Sequence, residues 1–130
     1  MTCNKWRCAS GGVLAIDRRA LDKLRELVGG DESDVVELVS SFLDEGPSIM
    51  ETLAKSGPTS DLPATRRAAH SMKSNARDMG ATELAGICAG IEARCAKGEP
   101  LDAVDIENAR RAFNAAVAEL QDIFLLGGQL

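Results

Sequence analysis

A single histidine, His70, stands in the chain, and the residues spaced around it set the chemistry open to it. On a helix turning about 100 degrees per residue, Lys73, Ser74 and Arg77 fall at about −60, +40 and −20 degrees from His70, and Arg66 at about −40. All four share its face. Ala69, Met72, Ala76 and Met79 fall on the opposite side and form an apolar stripe, so the histidine is expected to look outward. An imidazole facing water is largely neutral near neutral pH and keeps a nucleophilic nitrogen lone pair, which can accept a phosphoryl group. Arg66, Arg67, Lys73 and Arg77 surround it, with Asp61 and Asp78 as the only acids expected nearby. Such cations steady phosphoryl oxygens. Ser74, one turn after His70, is small enough to let another protein bring a phosphorylated residue close.

Metal chemistry is not expected. His70 has no histidine partner, no H-x-x-x-H or C-x-x-C spacing occurs, and Cys3 and Cys8 form a C-x4-C pair without further ligands. Cys88 and Cys95 fall on an apolar stripe with Leu84 and Ile91, where free thiols behave as small hydrophobes. Glu92 reads as a solvated or capping carboxylate rather than a general base.

The elements that must position His70 follow from composition and pattern. The chain has 130 residues, 45% hydrophobic and 27% charged, which is one domain's worth of a globular balance. With Trp6, three phenylalanines and no tyrosine, aliphatic residues and alanine must fill the core, which favours packed helices over sheets. The formal net charge of −5 argues against a nucleic-acid partner. No stretch of about 18 apolar residues exists and no secretory signal opens the chain, so neither a membrane span nor export is expected. The reading is cytoplasmic, with reduced thiols and a monomer.

Residues 1–12 end in Gly11-Gly12 and read as a flexible lead-in or a leftover of a longer chain, and 127–130 as a flexible tail. Between them, 13–126 read as five helices. The first starts from Val13 with Asp17 as N-cap and closes at Gly29-Gly30. The second, capped by Asp31 or Ser33, runs to about Lys55, and Pro47 is expected to bend or split it near Gly46. A third opens near Asp61 and ends at Gly80, a fourth is capped by Thr82, and a fifth by Asp102 or Asp105. No segment alternates as a strand would. Helices joined by short turns predict an all-α, antiparallel up-down four-helix bundle, with the short first helix laid across one end.

The run AAHSMKSNARDMGATELAGICAGIEARCAKGE, residues 68–99, resembles the signature of histidine phosphotransfer (HPt) domains. His70, Met72, Lys73, Ser74, Gly80, Leu84, Cys88, Ile91 and Glu92 occupy its positions, and VVELVSSFLDEGPSIMETL, residues 35–53, is similar to the helix before it. The family most often has glycine where this chain has Ser74, and commonly serine where it has Asn75. The resemblance covers about residues 16–120. It implies a module that relays a phosphoryl group between His70 and the aspartate of a response-regulator receiver domain in a two-component phosphorelay, with a hybrid histidine kinase as a further partner. His70 would be the carrier and Lys73 an electrostatic partner of the phosphoryl group. Arg66, Arg67, Ser74 and Arg77 would form the docking face. The module would be no autonomous kinase and need no cofactor of its own, the magnesium belonging to the receiver. The rival reading is a scaffold in which the same face docks a partner without chemistry.

Overall fold

A computed structural model describes residues 15–59 and 61–124. They form five α-helices and no strand: α1 (Arg18–Leu27), α2 (Glu32–Ser56), α3 (Leu62–Met79), α4 (Thr82–Ala96) and α5 (Ala103–Phe124). The proposed lead-in with Cys3 and Cys8, the start of the first helix at Val13, and the tail lie outside the described residues. No described helix is long and apolar enough to cross a membrane.

Each start is fixed by a side chain near its first turn or by the turn before it. Asp17 accepts from the Arg19 amide at 3.0 Å and Asp31 from the Ser33 amide at 2.9 Å, each satisfying a donor that a helix start leaves orphaned. Asp61 caps α3, whose first turn holds Pro63. At α5, Asp102 and Asp105 act together: each carboxylate accepts the other's amide, at 3.1 and 3.0 Å, as in a capping box.

Of the two outcomes expected at Pro47, the split does not occur: α2 runs unbroken from Glu32 to Ser56. The proline removes one backbone bond, but Val39, Phe42, Met50 and Leu53 are buried on both sides of it, and that packing carries the helix through. Thr82 is not a cap either: Ala81 holds the N-cap position with no side-chain bond, and Thr82 is already helical. Gly80 turns the chain at φ 83°, and the Ala81 amide returns to the Ala76 carbonyl at 2.8 Å, so α4 starts directly off the end of α3.

Helices α2 to α5 form the four-helix bundle, each packing on the next and α5 closing against α2, while α1 packs on α2 and α3. The start of α1 is held at the α3–α4 turn. The Asp17 amide donates to the Gly80 carbonyl at 2.7 Å, and buried Glu119 of α5 accepts from the Ala15 amide at 2.9 Å. No Cβ fits at Gly80, since it would lie 2.5 Å from the Asp17 carbonyl oxygen. Ala68, Ala69 and Ala76 on α3 and Ala85 on α4 are small and buried, and α3 and α4 form the most extensive helix pair of the bundle. The site depends on that pairing.

Candidate functional site

His70 projects from the middle of α3 with its side chain 61% exposed, while Ala69, Met72, Ala76 and Met79 are buried in the core. The helical periodicity therefore places the histidine where expected. What the wheel of one helix could not show is its neighbour. Glu92 of α4 brings Oε2 to 2.9 Å from His70 Nδ1, and Oε1 to 2.7 Å from Lys73 Nζ. The histidine face thus holds an acid that the wheel did not show, and Glu92 is neither a helix cap nor a merely solvated carboxylate.

A carboxylate offers only acceptors, so this contact assigns the ring proton to Nδ1 and leaves the lone pair on Nε2, directed away from Glu92. The hydrogen bond from Lys73, then that from His70, holds the Glu92 carboxyl below its ordinary range and keeps it charged. Cys88 lies one turn before Glu92, fully buried and with no disulfide, and burial pushes its thiol up to about 12. Cys95 is also a buried free thiol raised by burial. Neither is a nucleophile in this state. Among the described residues no three histidine, cysteine or carboxylate side chains gather to hold a metal.

The remaining expected residues spread along the same face. Arg66, Arg67, Ser74 and Arg77 are all exposed. A shallow groove running from His70 toward the start of α3 is lined by Leu62, Pro63, Arg66, Arg67 and Cys95. Arg77 stands at the other end, beside Ala20, Lys23 and Leu27 of α1. None of the three arginines forms an ion pair among the described residues, whereas Lys73 is only 19% exposed and bound to Glu92. His70, Lys73 and Glu92 are therefore one cluster, and the arginines form an open cationic border around it.

Glu92 was within reach of sequence reasoning. His70 stands ten residues before the Gly80 turn and Glu92 twelve after it. At 1.5 Å rise per residue these are about 15 and 18 Å back along two antiparallel helices, nearly the same height.

The family model described as Hpt domain matches residues 37–123. The crystal structure of histidine-containing phosphotransfer protein B (HptB) from Pseudomonas aeruginosa PAO1 is similar in fold and sequence, with a TM-score of 0.74 and 28% identity. The match covers 83% of this chain and 92% of that one. No curated protein matches by sequence.

Proposed function

The chain belongs to the Hpt domain family, the phosphotransfer modules of two-component signalling, and from that premise we propose that His70 carries the phosphoryl group. The observation that carries this reading is the exposed imidazole held at Nδ1 by Glu92 at 2.9 Å. With the proton kept at Nδ1, the Nε2 lone pair attacks the phosphorus of a receiver's aspartyl phosphate. The N–P bond forms as the P–O bond to the aspartate carboxylate breaks, and no proton has to move. The ring gains positive charge, which the Glu92 carboxylate stabilises through the hydrogen bond already in place. The reverse step returns the group to an aspartate.

Arg66, Arg67 and Arg77 suit a partner whose phosphoaspartate sits in an acidic, magnesium-binding pocket, and Ser74 leaves it room to approach. Magnesium belongs to that partner, and this chain requires no cofactor for the residues to act as described. Hpt domains are carriers rather than kinases. We read this one as lacking kinase activity of its own and working as a monomer with receiver domains, among them that of a hybrid kinase.

The test is to mix the protein with a receiver domain phosphorylated on aspartate. Acid-labile, base-stable label should appear on the wild type and be absent from His70→Gln, whose circular dichroism should be unchanged because the residue is exposed. Label persisting on the variant would move the carrier elsewhere. A wild type that takes no label from any receiver would leave the scaffold reading standing.

A further inference from the structure

The bundle is packed unevenly around its ring. Of its four neighbouring pairs, α3 with α4 is the most extensive and α2 with α5 the least. Gly57 at the end of α2 stands against Ile106 near the start of α5, and Gly46 against Phe113, so these two helices run antiparallel. Between them lies an open groove of about 780 Å³, on the side of the bundle away from the α3–α4 hairpin and His70. Buried Met50 and Phe113 floor it, and half-buried Leu43, Ala54 and Val117 leave apolar surface along it. From Arg110 to Gln121 of α5 it extends about 16 Å at 1.5 Å rise per residue, or about three helical turns. No described helix of the chain covers it, since α1 packs on α2 and α3.

The polar groups of the groove differ from end to end. At one end Pro47 has no N–H to give to the Leu43 carbonyl one turn back, so that carbonyl lacks its helical partner. Exposed Asp44 stands beside it. At the other end Lys55 and Arg110 flank the groove; Lys55 is paired with Glu51 at 3.4 Å, whereas Arg110 enters no ion pair among the described residues. An acceptor and a negative charge at one end, with surplus positive charge at the other, complement a helix, which offers free N–H groups at its positive N-terminus and free carbonyls at its negative C-terminus.

We propose that the α2–α5 groove docks one amphipathic helix of another protein, about three turns long. It runs parallel to α2, with its first N–H groups at Leu43 and Asp44, its apolar side on Met50, Phe113 and Val117, and a carboxylate of its last turn on Arg110. This goes beyond the carrier reading and does not need it. Because the groove lies away from His70, a receiver reaches the histidine while the groove is filled, and the helix ties the carrier to a third protein.

The probe is a fluorescein-labelled three-turn peptide with leucine and alanine on one side, glutamine on the other and glutamate in its last turn, stapled because so short a helix is not stable alone. Anisotropy measures its binding to the full chain, and amide chemical shifts locate it. Binding should saturate, with shifts at Leu43 and Val117 and none around His70. Val117→Asp should weaken it at least about tenfold by setting a charge in the apolar surface. Ala118→Arg, at an exposed position that spares folding, should weaken it too, by placing charge and bulk at the peptide's N-terminus. Arg110→Glu should cost about two- to fivefold, and a peptide with lysine in place of the glutamate should recover the loss. No saturable binding, shifts on α3 and α4, or a loss that the lysine peptide does not recover would overturn the proposal. So would a block of transfer from a phosphorylated receiver to His70 at saturating peptide. Sedimentation and Trp6 emission of the chain alone report the rival occupants: a dimer that Ala118→Arg dissociates would give the groove to a second copy, and an emission shift caused by that variant would give it to the chain's own first residues.

Discussion

Replacing Ser74 tests whether this face of α3 is where a receiver arrives. Ser74 is exposed, four residues after His70 and therefore one turn along the same face. Side-chain origins at that spacing lie about 5–6 Å apart on a helix surface. In-line transfer needs the attacking nitrogen and the phosphorus at about 3–3.5 Å, so the partner's acidic pocket must come down over the space beside Ser74. Leucine there places a branched group of carbons where serine places one hydroxyl. A displacement of 1 Å from the reacting geometry costs about a hundredfold, so Ser74→Leu should slow transfer from a phosphorylated receiver by about that factor. Folding should be spared, because leucine is a good helix former and an exposed substitution away from special contacts usually changes stability by less than about 0.5 kcal/mol. Ser74→Gly should transfer at least as fast as wild type. The assay is rapid-quench transfer from one receiver to all three proteins, with helicity checked by circular dichroism. A leucine variant that transfers at the wild-type rate refutes the clearance argument and moves the docking surface off this face.

Two further substitutions separate the scaffold from the site. Gly46→Ala should destabilise by about 1–3 kcal/mol in denaturant unfolding, because its Cβ would stand 2.6 Å from Cε1 of Phe113, a buried ring already packed on Phe42 at 5.8 Å between centroids; a more stable variant would show that α2 can shift there. Cys88→Ala should cost about 1–3 kcal/mol as lost core volume, with phosphoryl acceptance per folded molecule unchanged. Loss of acceptance in a folded Cys88→Ala protein would give the thiol a role that its burial and raised pKa deny.

Much of the site was legible because it is written on one helix. The direction of His70 follows from 3.6-residue periodicity, the caps at Asp17 and at Asp31, one of the two residues expected there, follow from side chains that satisfy amides two residues away, and α3 opens near Asp61 as expected. These are local signals, and the structure keeps them. Thr82 was misread for the opposite reason, and Pro47 leaves α2 unsplit for the same one. The proline's local cost is outweighed by a core contributed by other helices, and the turn at Gly80 supplies what a threonine cap would have supplied. Lys73 appeared as one more cation on the histidine face because a wheel reports direction but not who occupies the space outside. Its partner lies on the next helix, and only the register of the α3–α4 hairpin brings the two together.

That hairpin also reconciles two demands on a phosphoryl carrier. The histidine must be exposed enough for an aspartyl phosphate to reach, yet exposed side chains lose orientation. Here the ring is open to solvent while Glu92 and Lys73 beside it are mostly covered and charge-paired. Within the triad the lysine and carboxylate charges offset each other, so the positive character of the face comes from Arg66, Arg67 and Arg77. On a chain of net charge −5, that cationic border would favour the approach of a partner's acidic pocket to this face. Aiming and attraction thus fall to different residues. On the proposed reading, the carboxylate under the ring would orient it, and the arginines around it would draw the partner.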